Sequence, residues 1–264
     1  NFQRLKMNRK KIYYISAILL MLSIISCSSS DSMDNNDIMA MTNLTDTSMP
    51  TDNKDEEDQI INITNKIFSN RSSDCVDYAE KYISNVKDIT RIIDFEGYIN
   101  IQVLDTHCLI SSDNIPNHDF NDSTAHFRTN VTEMPRIYTI NRFPKQASVT
   151  THLDGQSWDA VMLNGVVVDV KSAGCYNPSE RRSDTEGNTE AGCGPNAEWR
   201  LIPLEYSTGF GVDIHNAHVQ PDGTYHYHGN PNAMFDDAPS GDGSPVIGFA
   251  ADGFPIYGSY ILDE

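Results

Sequence analysis

Between His215 and His228 the chain reads HNAHVQPDGTYHYH, which places four of its eight histidines within fourteen residues, around a Pro-Asp-Gly turn. No other stretch constrains the fold as tightly. Pro221, Asp222 and Gly223 suit successive positions of a type I turn, with Gly223 free to take a positive φ and form a bulge. A turn there sets a register in which His218 opposes His226 and Asn216 opposes His228. Side chains alternate along paired strands. His218, His226, His228 and Asn216 therefore share one face, and Ala217, Val219, Tyr225 and Tyr227 share the other, which is the face expected to pack. His215 has the wrong parity for the histidine face and reads as a bystander.

The surrounding sequence has the same texture. From Gly97 onward, YINIQVLDTHCLI, WDAVMLNGVVVDV, TYHYHG and PVIGFA read as short strands separated by Asn-Gly, Pro-Asp-Gly and Gly-Asp-Gly. Residues 95–264 are thus expected to form a mainly β domain, an antiparallel sandwich or barrel-like sheet. One or two short helices are expected before it, in a helical segment at 59–94. The stronger spans Ser73 to Arg91, where Cys75, Tyr78, Ala79, Tyr82, Ile83 and Val86 fall at three- and four-residue spacing and Asp77 precedes Lys81 by four. The weaker spans Asp55 to Phe68, with acids early and Lys66 late.

The N-terminus has a different character. From Met7 the chain reads MNRKKIYYISAILLMLSIISC, a basic segment and an apolar run too short for a spanning helix. This reads as a secretory signal over residues 1–27, with residues 1–6 upstream of the true start. Ile24-Ile25-Ser26-Cys27 resembles the bacterial lipobox, which implies lipidation of Cys27 and attachment to a membrane through that lipid. The alternative is an ordinary secretory signal. Residues 28–58 are polar, acidic and without aromatics, a composition that cannot offset chain entropy by burial, so a disordered tether is expected. Ser28 lacks the aspartate that marks inner-membrane retention, which points to an outer-membrane or cell-surface lipoprotein of a bacterial envelope.

Cysteine usage agrees with export. Besides Cys27 the chain holds Cys75, Cys108, Cys175 and Cys193, an even set that suggests two disulfides with three formal pairings. Cys175 with Cys193 would close a polar loop and contribute about 3 kcal/mol in the chain-entropy model. Cys75 with Cys108 would then tie a helix to a strand. Charge excludes one class of partner. The signal carries five basic and no acidic residues, so 14 Lys and Arg remain against 37 Asp and Glu, a net charge of −23. Nucleic acid needs a basic surface and is not expected.

Three imidazoles converging from two paired strands form a ligand set for a borderline divalent metal, zinc or copper first. A fourth ligand could be water, a carboxylate such as Asp222 or Asp252, or a distant histidine. Gly241-Asp242-Gly243 leaves calcium open, although the ligand spacing of an EF-hand is absent. No Gly-x-Ser-x-Gly turn supports a serine triad.

These motifs also carry a resemblance. NAHVQPDGTYHYHG followed by VIGFAADGFPIYGSY resembles the YHYH protein family, as do MLNGVVVD at Met162 to Asp169 and SSDNIPNHDF at Ser111 to Phe120. The resemblance spans roughly Phe95 to Tyr260. It implies family positions for His218, Tyr225, His226, Tyr227, His228, His118, Asp252, Gly253 and Pro255, and it leaves the activity open. In two places the chain departs from the pattern. Arg142-Phe143-Pro144 arrives late after the Ile-Pro-Asn-His element, and the chain ends at Glu264 before further expected strands. Three readings follow: an envelope domain that binds a transition metal, a metal-dependent enzyme on an extracellular substrate with Asp252 or His118 as base, and a calcium-assisted adhesion module in which the histidines are architectural.

Overall fold

In the computed structural model of the chain, the described residues are 59–151, 157–194, 197–204, 211–237 and 241–261. The signal, Cys27 and the tether lie outside them. Among the described residues no helix is long and apolar enough to cross a membrane.

Thirteen short strands and one 3-10 turn make up the regular structure among these residues. The first sheet has the order β1 (Ile60–Asn62), β2 (Lys81–Asp88), β3 (Ile93–Val103), β4 (His107–Ser112), β5 (Arg136–Asn141). Its strands are antiparallel except β1, which runs parallel to β2. β6 (Ala160–Met162), β7 (Val167–Val168), β10 (Ala217–Val219), β11 (Tyr225–Tyr227), β12 (Val246–Ala250) and β13 (Pro255–Tyr257) form the second, in the order β10-β11-β7-β6-β12-β13. A two-stranded ribbon of β8 (Cys175–Tyr176) and β9 (Asn188–Thr189) stands apart in hydrogen bonding. The mainly β expectation holds. The sheets do not close into a barrel among the described residues.

The helical segment is not there. Ser73 to Arg91 folds as a 3-10 turn, Cys75–Tyr78, followed by β2, and the weaker helix is replaced by β1 from Ile60 on, its first four residues lying outside the description. The cause is the spacing itself. Tyr78, Tyr82 and Val86 are four apart, a distance compatible with one face of a helix and equally with one face of a strand. Burial along β2 alternates, with Tyr82, Ser84, Val86 and Asp88 inward. Two of those inward residues are polar, which hid the period of two. Ser84 donates to the Pro116 carbonyl, and Asp88 pairs with the Arg91 guanidinium at 2.6 Å.

Both large sheets contribute to one hydrophobic core. Ile99, Ile101, Ile110 and Ile140 from the first meet Val161, Tyr225, Tyr227 and Phe249 from the second. The Ser112 hydroxyl donates to the Gly165 carbonyl at 2.9 Å, across the sheets, where the Asn164-Gly165 turn links β6 to β7. The cysteines pair as Cys75–Cys108 and Cys175–Cys193. The first bridge therefore joins a 3-10 turn, not a helix, to β4.

Candidate metal centre

The histidine hairpin forms in the register its turn dictates. β10 and β11 pair antiparallel with Ala217 opposite Tyr227, His218 opposite His226 and Val219 opposite Tyr225. Gly223 takes φ +97°, and a Cβ at that position would stand 2.1 Å from the Thr132 hydroxyl, so glycine is required there. β11 lies between β10 and β7, its parallel neighbour, and is buried throughout. His226 is therefore a polar side chain with no solvent exposure.

On one face of this hairpin three imidazoles converge. The His228 Nε2 lies 3.1 Å from the His226 Nε2 and 2.9 Å from the His218 Nε2. Ring centroids are 4.5, 4.6 and 4.7 Å apart, close to an equilateral triangle. For a tetrahedral metal with bonds of about 2.0–2.1 Å, the edge between two ligand nitrogens is about 3.3 Å. The nitrogens thus already stand near ligating separation.

The partners on the far side of the rings decide the tautomers. His226 Nδ1 faces the Thr224 carbonyl at 3.2 Å and His228 Nδ1 faces the Asp169 carbonyl. A carbonyl only accepts, so both Nδ1 atoms carry the proton and both Nε2 atoms present lone pairs. The 3.1 Å contact between them then holds no proton and is repulsive in the neutral pair. A cation at the point of convergence relieves that repulsion, and backbone carbonyls behind metal-ligating imidazoles are a regular arrangement. The rings are also held neutral, the form that ligates. Burial, and then the neighbouring His228, push His218 down to about 3. Burial followed by His218 and His228 pushes His226 well down, and burial lowers His228. Among the described residues, the other cluster with three candidate ligand atoms is Asp74, Cys75 and Cys108, whose sulfurs are spent in a disulfide.

Not every expected residue joins the triad. Asn216 leaves it because the strand ends at Ala217: Asn216 takes φ +61°, and its carboxamide donates to the Asn230 carbonyl. Asp252 sits in the turn between β12 and β13, where its carboxylate accepts from the Phe254 amide. Asp242 belongs to no group of three His, Cys, Asp or Glu ligand atoms among the described residues. His118 lies on the opposite face, with the tyrosines.

That opposite face carries a separate polar network. The His118 Nδ1 donates to the Asp119 carbonyl at 2.8 Å, so its Nε2 accepts from the Tyr227 hydroxyl at 2.7 Å. Asn164 donates to both Tyr227 Oη and Asn117 Oδ1. Tyr225 donates to Asp213 at 2.6 Å. His215 is no bystander: from the turn that precedes β10 its ring packs against His118, with centroids 3.9 Å apart and planes tilted by 41°. Asn114 donates to the Tyr225 carbonyl and accepts from the Val167 amide, tying β11 to β7 beneath the triad. Sequence reasoning missed Asn114, Asp213 and Trp158, whose ring lies 5.5 Å from that of His226. Of these, Asn114 lies inside the Ser111 to Phe120 element and Trp158 opens the segment WDAVMLNGVVVDV, whereas Asp213 lies in neither.

Burying two neutral imidazoles and partly burying three more makes the fold acid-sensitive. His118 and His218 are pushed down to about 3, and His215, His226 and His228 are lowered, all first by burial. Unfolded histidine titrates near 6.5. The unfolded chain therefore binds more protons as pH falls through about 6.5, and stability drops from there downward. Asp113 and Asp213, raised to about 6 by burial, oppose this, because the folded state keeps their protons between about 6 and 4, and Asp169, also raised by burial, acts in the same direction. Five imidazoles against three carboxyls give a net loss. Thermal melts of chelator-treated protein should show the midpoint temperature falling between pH 7.5 and 4.5. A flat or rising profile contradicts the assignment of neutral buried imidazoles.

Residues 137–264 match the model of a family described as YHYH protein. The matched span contains the triad, Trp158 and Asn164. It begins at Ile137, so the Ser111 to Phe120 element, with Asn114 and His118, lies outside it. No curated protein and no solved structure matches the chain.

Proposed function

Residues 137–264 belong to the YHYH protein family, and from that premise we propose that the chain is an envelope domain that binds one transition-metal ion through His218, His226 and His228. One observation carries this reading: two Nε2 lone pairs stand 3.1 Å apart with their Nδ1 protons committed to backbone carbonyls. Borderline ions such as zinc or copper suit an all-imidazole set better than calcium, which prefers oxygen. Protein purified without chelator should carry close to one equivalent of such a metal by elemental analysis. Metal-free protein that also fails to take up zinc or copper on titration would sink the proposal. Three protein ligands leave a position for water or substrate, which favours metal-dependent catalysis as the second reading over an adhesion module.

Export through a lipidated Cys27 belongs to the same proposal. It is supported by the lipobox-like sequence and by two disulfides, which persist in oxidising compartments. In a bacterial host, wild type should fractionate with membranes and Cys27→Ala should be lost from them. Equal soluble distribution of the two forms argues against the anchor.

A further inference from the structure

Beside the hairpin lies a cleft of about 390 Å³ lined by Arg136, Ser157, Trp158, Asp169, Gln220, Pro221 and Asp222. Its size is in the range of small-molecule sites. It shares walls with the triad without including it: Trp158 stands against the His226 ring, and Asp169 is the residue whose carbonyl accepts from His228 Nδ1. The Arg136 guanidinium lies over the Trp158 ring at 5.5 Å and makes a long contact, 3.4 Å, with the half-exposed Asp222 carboxylate.

The charges in this cleft exclude two ligand classes. One guanidinium against two carboxylates, on a chain of net charge −18, disfavours an anion. A guanidinium already placed over the indole disfavours a cation at that ring. What remains is dense in both roles: Asp169 and Asp222 accept, Arg136 donates, and Gln220 and Ser157 do both, beside the apolar surfaces of Trp158 and Pro221. A ligand whose groups each donate and accept, and which also has an apolar C–H surface, satisfies all of them. We infer that the cleft binds a neutral, hydroxyl-rich ligand of the saccharide class, one or two rings in size. The inference stands on the cleft and does not rest on metal binding.

The test uses Trp158 as its own reporter. The chain has two tryptophans, and Trp199 is exposed, so Trp199→Phe leaves Trp158 as the sole indole. In that background, neutral glucose, galactose, N-acetylglucosamine, cellobiose and maltose are titrated against fluorescence, with glucuronate and glucosamine as charged comparisons, in both chelator-treated and zinc-loaded protein. At least one neutral sugar should give a saturable change, in both forms. Asp222→Asn and Gln220→Ala, at solvent-accessible turn positions, should each weaken it by roughly tenfold, the scale of a lost hydrogen bond to a charged or well-placed group. No saturable response to any neutral sugar overturns the inference, as does tighter binding of glucuronate, which would make Arg136 an anion receptor. A response unchanged in both variants overturns it too, because the binding then lies elsewhere.

Discussion

Replacing His226 with alanine should weaken zinc binding by roughly a hundred- to a thousandfold. Structural zinc sites with four ligands release about 10–16 kcal/mol in total, so one imidazole accounts for about 3–4 kcal/mol. His226 is the most completely buried member of the triad and is directed by its Thr224 carbonyl, so water cannot take its place in the same geometry. His228→Gln keeps side-chain volume while removing the imidazole, and should lose affinity on the same scale without the cavity that alanine leaves. His118→Ala and Asp252→Asn separate the readings. Both residues lie off the triad, and zinc stoichiometry should survive either change. Competition titration with a chromogenic chelator measures all four, with circular dichroism as the check on folding. Retained affinity in both His226→Ala and His228→Gln is incompatible with the triad as the site.

The same geometry shows what could be read from residues alone. The turn Pro221-Asp222-Gly223 sets the strand pairing locally, and pairing plus alternation then determines which side chains share a face. His218, His226 and His228 were legible for that reason, over only eleven residues of chain. The partners that choose their tautomers were not. The Asp169 carbonyl reaches His228 across 59 positions of sequence, and a backbone atom carries no signature of its own. His118 shows the converse. Its motif was visible, but whether it meets the histidine face or the tyrosine face depends on how the Ile115 to His118 stretch runs between the sheets, and it meets the tyrosines. Parity says nothing of His215, because β10 begins at Ala217 and the positive φ of Asn216 breaks the alternation before it. β2 was misread because a four-residue spacing fits both periods, and because its diagnostic inward positions are the polar Ser84 and Asp88.

Those buried polar groups also explain why the site has a rigid base. Tyr225 and Tyr227 are fully buried, yet each hydroxyl donates to a partner, Asp213 and His118. A buried hydroxyl without a partner costs about 1–3 kcal/mol, so each of these contacts favours one arrangement of β11 over its alternatives. Because Tyr225, His226 and Tyr227 are consecutive, whatever holds the tyrosines holds the imidazole between them. The packed face therefore positions the histidine face through the strand itself.

Loss of the Cys75–Cys108 bridge should be the most damaging single covalent change to the fold. The bridge closes a span of 33 residues, for which chain entropy alone gives about 3.7 kcal/mol. Both cysteines are core residues, at 1 % and 0 % exposure, so the double variant Cys75→Ala with Cys108→Ala also loses packing. For a domain of this size about 4 kcal/mol corresponds to a fall of roughly 8–15 °C in melting temperature. Cys175–Cys193 offers the contrast. Its span of 18 gives about 3 kcal/mol by the same relation, but it ties the two-stranded ribbon of β8 and β9, which pairs with neither large sheet. Its removal should release that ribbon locally and leave the main transition within a few degrees of wild type, since stability is not uniform across a structure. Scanning calorimetry of the two double variants, with limited proteolysis between Tyr176 and Asn188, tests the asymmetry. Equal shifts in the main transition would show that the ribbon and the sheets unfold as one cooperative unit.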